Sequence, residues 1–183
     1  MCIFWEEQVD LGQGREAPVT DGSYMKELYP YLNSAAFVLE CSKGRGRLTR
    51  ASVEQTPNAG SYRGELLGLM AIHLILWGIN DIHQGLQGSV HILPDCLGAL
   101  DKVENLPPHR IPTQCSYSNI LKNIMVNCSD LSFARIFSHV KAHQDDHTGY
   151  ESLTHSTQLN CQVDYYAKNA ILGTDHGTSV CIS

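Results

Sequence analysis

From Tyr62 to about Ile79 the chain carries Leu66, Leu67, Leu69, Met70, Ile72, Leu74, Ile75 and Leu76. Wound into a helix, these residues nearly encircle it, and a helix apolar on so many sides is normally sandwiched in a core. Pro57-Asn58-Ala59-Gly60 breaks the preceding structure, and Ser61 offers a cap for the helix start. One carboxylate, Glu65, stands in what the pattern makes the first turn. An ion on a buried helix must be paired or metal-bound.

The rest of the chain supplies the layers for that helix. Ala17-Pro18-Val19-Thr20 is a short extended start running into Asp21-Gly22-Ser23, a turn signal. Residues 34–40 and Arg47 to Gln55 read as a hairpin, and Ser89 to Leu93 as a strand leading to Pro94-Asp95. Helices are expected over Leu97 to Val103, residues 117–128 and Leu159 to Ile171, with a strand over Phe133 to Phe137. The order β, β, β, α, β, α, α, β, α predicts an α/β fold, a mixed sheet with helices on its faces. With 43% hydrophobic residues the chain can bury one real core. We expect one domain over 17–172, a leader or linker over 1–16 and a C-terminal tail over 173–183.

Several functional classes drop out. No apolar run approaches the roughly 20 residues that span a bilayer, so no transmembrane helix and no membrane partner is expected. The start, Met1-Cys2-Ile3-Phe4-Trp5-Glu6-Glu7, lacks the basic opening and long apolar stretch of a secretory signal. The expectation is an intracellular protein, cytoplasmic or nuclear. Seven scattered cysteines without a C-x-x-C pair point to reduced thiols, not to a disulfide framework or a thiolate zinc site. The net charge of −6 is awkward for a polyanion partner. A carboxylate cluster neutralised by metal would soften that objection, as would the local basic stretch from Lys43 to Arg50.

Four carboxylates sit where local structure would make them converge. Asp21 follows the first strand and Asp95 the fourth; if those strands are parallel neighbours, both lie at one end of the sheet. Glu65 comes from the buried helix, and Asp164 lies beside the apolar stripe of the last. Hard oxygen ligands suit magnesium or manganese, and two such ions about 4 Å apart activate water and stabilise a leaving oxygen in phosphoryl displacement. Singly, each has a plainer explanation: a turn aspartate, a glutamate favoured by the helix dipole, surface acids. Their joint placement favours the metal set. His139, His143 and His147 have the spacing of a zinc face on a helix, but they fall in what reads as loop. His73 reads as a hydrogen-bonded core histidine, and packing on the sheet explains at least one of Tyr165 and Tyr166.

Five segments taken in order, Thr20-Asp21-Gly22-Ser23, Tyr62-Arg63-Gly64-Glu65-Leu66-Leu67-Gly68-Leu69, Asp95-Cys96-Leu97-Gly98-Ala99-Leu100, His139-Val140-Lys141-Ala142-His143-Gln144-Asp145-Asp146 and Leu159-Asn160-Cys161-Gln162-Val163-Asp164, resemble type 1 ribonuclease H. The nearest likeness is to the ribonuclease H domains of retrotransposon reverse transcriptases, from about Ala17 to Ile171. The resemblance implies a five-stranded mixed sheet in order 3-2-1-4-5 with helices on both faces. It makes Asp21, Glu65, Asp95 and Asp164 the ligands of two Mg2+ ions, with Mn2+ an alternative, and His143 a mobile proton-transfer group. It implies an RNA–DNA hybrid as substrate, whose RNA strand is recognised through its 2′-hydroxyls. Gly22, Ser23, Lys43 and Arg45 are the expected contact residues, although the Gly/Arg turn over 43–50 reads equally as a solvated hairpin tip. Two features depart from the family. Pro94 precedes Asp95 where a small or hydroxyl residue is usual, and the proline-rich stretch 105–112 does not look like a basic hybrid-gripping helix. Other domains of a larger polyprotein, such as a reverse transcriptase, are then expected to supply binding. A module of this fold that binds without cleaving, and a nuclease of this fold with another substrate, remain the alternatives.

Overall fold

Along β2 (Leu32–Glu40), six successive residues from Asn33 to Val38 are buried. Phe37 packs on one side with Leu66, Leu69, Ile72 and Leu76. Ala36 and Val38 pack on the other with Leu159, Val163 and Ala167. Side chains alternate across a strand, so continuous burial means that both sheet faces are covered. The computed structural model describes residues 18–40, 46–105, 111, 117–173 and 180–181.

The other elements are β1 (Val19–Ser23), β3 (Arg47–Gln55), α1 (Ser61–Ile82), β4 (Ser89–Pro94), α2 (Leu97–Asn105), α3 (Ser118–Ser129), β5 (Ala134–Phe137), α4 (His155–Leu172) and β6 (Val180–Cys181). Two short 3-10 turns cover Gln144–Asp146 and Tyr150–Ser152. The sheet order is β5-β4-β1-β2-β3-β6. Its five main strands therefore stand in the expected order 3-2-1-4-5. β1 pairs in parallel with β4 and β4 with β5, while β1–β2 and β2–β3 are antiparallel. β6 pairs with Arg47 and Leu48 at the β3 edge, so the segment expected as a tail contributes a two-residue strand. Helices α1, α2 and α3 share one face with the larger core, and α4 covers the other.

Several elements differ from the sequence reading. Asp21-Gly22-Ser23 is strand, not turn, and pairs with Ala36, Ala35 and Ser34. Ser61 is the first residue of α1, not its cap; the cap is Gly60, with no side-chain hydrogen bond. Glu65 therefore lies in the second turn, where the helix dipole helps it less. Helix α4 begins at His155, capped by Thr154, whose hydroxyl accepts from the Thr157 amide at 3.4 Å. At 22 residues α1 is long and apolar enough to cross a bilayer by length and composition, contrary to the expectation that no such run exists. Its Leu66, Leu69, Ile72 and Leu76 nevertheless lie in the core, beside Ile120 and Ile124 of α3. That is how a buried helix of a layered domain packs.

Pro94 lies inside β4, opposite Thr20. In a parallel strand a residue's amide and carbonyl point to the same side. The Pro94 carbonyl accepts from the Val140 amide at 3.1 Å, past the end of β5 at Phe137. The missing donor thus leaves a gap between the Ser138-to-Ile92 and Val140-to-Pro94 bonds, and the link to β1 runs through the Leu93 amide to the Pro18 carbonyl at 2.9 Å.

Candidate metal centre

The site is built where β1, α1 and β4 meet. Gly22 and Gly64 make that meeting possible. A Cβ on Gly22 would lie 2.3 Å from the Glu65 nitrogen, and one on Gly64 would lie 2.4 Å from the Ser34 carbonyl oxygen. Only bare backbone fits at this crossing. The close approach lets the Gly22 amide donate to Glu65 Oε1 at 3.0 Å, which fixes Glu65 against the strand bearing Asp21. Asp95, just past β4, completes the group: ligand oxygens of Asp21, Glu65 and Asp95 all lie within 4.8 Å of one another. Among the described residues this is the only cluster of metal-ligating groups that converges so closely.

Asp164 and His143 line the same cleft, together with Asp145, Asn160 and Cys161. Asp164 does not join the close trio; its Oδ2 accepts from Lys168 Nζ at 2.6 Å. His143 is exposed and holds φ 54, the left-handed region, as the cap of the turn Gln144–Asp146. It is the one described non-glycine residue with positive φ, a local strain that tends to collect at functional positions. Lys43 and Arg45 lie outside the described residues. Gly22 turns its amide inward to Glu65, and Ser23 is buried.

The electrostatics of the cleft are those of crowded anions. Burial, then the neighbouring charge of Asp95, pushes the Asp21 carboxyl up to about 7, and Asp164 adds to this. Burial and the charges of Asp21 and Asp95 hold Glu65 well above the usual carboxylate range. Asp95 is raised chiefly by burial and further by Asp164, while the Asn160 amide and His143 pull the other way. Glu65 Oε2 and Asp95 Oδ1 are buried with no hydrogen-bond donor. Such oxygens are costly unless a cation meets them. Buried, convergent, unsatisfied carboxylate oxygens fit a hard divalent cation such as Mg2+ or Mn2+.

Three contributors escaped the sequence reading. Asn160 is buried on α4 one turn before Asp164, and Lys168 lies one turn after it; the i, i+4 spacing alone could have flagged both. His139 brings its Nε2 to 2.8 Å from the Asp95 carbonyl oxygen, tying the loop after β5 to the site. His139, His143 and His147 form no metal-binding group among the described residues, so the zinc spacing is incidental. His73 is fully buried, with Nδ1 2.7 Å from the Leu69 carbonyl oxygen, as expected of a core histidine. Tyr166 packs against the smaller core while Tyr165 is 64% exposed.

No family profile matches the chain, and no curated protein matches it in sequence. Solved structures do match its fold. The ribonuclease H domain of PFV is similar with a TM-score of 0.61 at 16% identity, covering 87% of this chain and 96% of that one. The ribonuclease H1 of the halophilic archaeon Halobacterium salinarum NRC-1 gives 0.54 at 16% identity, covering 87% and 99%. LC11-RNase H1, solved in complex with an RNA/DNA hybrid, gives 0.54 at 13% identity, covering 87% and 98%. The prototype foamy virus protease–reverse transcriptase gives 0.50 at 18% identity, covering 86% of this chain but 21% of that one. The chain has the ribonuclease H fold.

Proposed function

We propose that the chain is a metal-dependent endonuclease that hydrolyses the RNA strand of RNA–DNA hybrids, as part of retroelement reverse transcription. The observation that carries this reading is the trio Asp21, Glu65 and Asp95, converged within 4.8 Å on a ribonuclease H fold with buried oxygens left unmet. In this reading the trio and Asp164 hold two divalent ions, Mg2+ or Mn2+. When bound, such a pair supplies Lewis acidity for an in-line phosphoryl displacement by water.

The chain's own residues do the rest. Glu65 is held by the Gly22 amide, which keeps it beside Asp21 and Asp95 before substrate arrives. Asn160 and His139 steady Asp95 through its carboxylate and its carbonyl. His143, exposed at the cleft rim, holds or passes a proton at its imidazole. Lys43 and Arg45 are proposed to meet backbone phosphates, and Gly22 and Ser23 to lie under the substrate where β1 enters the cleft. The foamy virus protein, of which a chain like this spans about a fifth, supports a setting in a larger polyprotein whose other domains add grip.

One observation favours a second reading, a module that binds without cleaving: Asp164 is bonded to Lys168 instead of joining the trio. A labelled RNA–DNA hybrid incubated with the protein and Mg2+ or Mn2+ separates the two. Single-stranded RNA, duplex DNA and a chelated sample serve as controls. Cleavage confined to the RNA strand of the hybrid and lost on chelation is the expected result. Binding of the hybrid without cleavage, by folded protein and with a separate hybrid-binding domain added, would select the non-cleaving module.

A further inference from the structure

We propose that Lys168 is an internal counter-ion that contests Asp164 with the second metal ion, so that the cleft fills in two unequal steps. The inference rests on reading the cleft as a metal centre.

The two halves of the cleft are built differently. Asp21, Glu65 and Asp95 come from three separate elements and are converged and largely buried. Glu65 Oε2 and Asp95 Oδ1 stand ready for a cation. Asp164 faces the same cleft from α4, but its Oδ2 is held by Lys168 Nζ at 2.6 Å, one helical turn on. Lys168 therefore lies against the one carboxylate of the proposed metal set that stands outside the trio.

A divalent ion held by Asp164 would have to displace that ammonium or share the carboxylate with it. Displacement is feasible: Lys168 is 46% exposed, and a solvated i, i+4 ion pair is weak. It is not free, because a unit positive charge close to a divalent ion would lower its affinity roughly tenfold even in a water-like dielectric. The trio carries no such ion pair among the described residues. Magnesium binding in two steps is thus a property of this chain's α4 surface, not only of the carboxylates.

The test is calorimetric titration of Mn2+ into the chelator-stripped full chain, comparing wild type, K168M and K168R, with circular dichroism to confirm folding. Methionine keeps the stem and removes the charge; arginine keeps the charge. In wild type we expect a tight event and a weaker one. K168M should tighten the weaker event roughly tenfold and leave the tight one unchanged, while K168R should behave as wild type. A purely structural ion pair would be indifferent to which event was measured. If K168M shows the wild-type weaker event, or a weaker one still, the role assigned to Lys168 is wrong and the metal centre stands. If wild type takes up no Mn2+, the metal centre itself is wrong and this inference goes with it.

Discussion

Gly22 donates its amide hydrogen to Glu65 Oε1 at 3.0 Å across a crossing where its own Cα lies against Gly64. Strand, helix and ligand are therefore set by one backbone contact. A methyl group on Gly22 would meet backbone at 2.3 Å, so Gly22→Ala must push α1 off β1. We expect a loss of about 1–3 kcal/mol or more in urea unfolding, together with weakened Mn2+ uptake. Gly78, also on α1, has nothing within 4 Å of an added Cβ. Gly78→Ala should instead stabilise by about 0.5–1 kcal/mol. Equal effects at the two positions would mean that the crossing is not tight.

The crowded carboxylates give the stripped protein a pH dependence of known sign. Asp21 is raised in the folded state to about 7, mainly by burial and then by Asp95. A carboxyl raised on folding favours the native state while protonated. Its contribution is therefore lost as pH rises from about 4, the unfolded value, through about 7. Asp21→Asn removes that titration. In the presence of chelator, the variant should gain on wild type with rising pH and hold a lead on the order of a few kcal/mol above about pH 7. Saturating Mn2+ should erase most of the difference by stabilising wild type. Denaturant titrations from about pH 4.5 to about pH 8.5 measure it; a gap independent of pH would contradict the burial of an ionised Asp21.

The order of elements was legible because it rests on local pattern: the all-round apolar helix and the alternating strands. Three of the four acids converge, but not for the local reason given by the sequence, since Asp21 lies within β1 and not past its end. What was not legible depends on contacts distant in sequence. Asp21-Gly22-Ser23 has turn chemistry, yet Gly22 is there because Gly64 approaches it, a pairing 42 residues away that no local signal reports. The first turn of α4, His155 to Gln158, has no apolar residue to mark it, so its start was read late, at Leu159. Lys168 could have been placed beside Asp164 by helical spacing, but its meaning depends on Asp21 lying across the cleft.

Asp95→Asn keeps the side-chain size and removes one anionic ligand. The proposed nuclease should lose hybrid cleavage to background while its unfolding midpoint holds or rises, because a crowded charge has gone. His143→Ala should slow cleavage by about a hundredfold without abolishing it, since a positioned proton-transfer group contributes roughly 10²–10⁴. Initial rates on a labelled hybrid read both. Asp95→Asn cleaving at the wild-type rate would remove that residue from the site, and a complete loss in His143→Ala would give the histidine more than a proton's work.

His73 predicts the opposite sign at the other end of the pH scale. It is fully buried on α1, with Nδ1 donating to the Leu69 carbonyl at 2.7 Å and Nε2 3.2 Å from Arg135 Nη1. Arginine can only donate, so Nε2 accepts and the ring is neutral. Burial, with the adjacent Arg135 charge, lowers it to about 4 against the Leu69 hydrogen bond, which favours the charged form. A base lowered on folding contributes stability that is complete above about pH 6.5, the unfolded value, and is lost as pH falls toward about 4. His73→Leu leaves Arg135 its contacts with Cys128 Sγ and the Phe137 ring but takes away the acceptor. It should cost about 1–3 kcal/mol at neutral pH. That cost should shrink as pH falls below 6.5, because wild type then loses what the variant never had. A gap that stays constant down to about pH 4.5 would mean that His73 is not held neutral between Leu69 and Arg135.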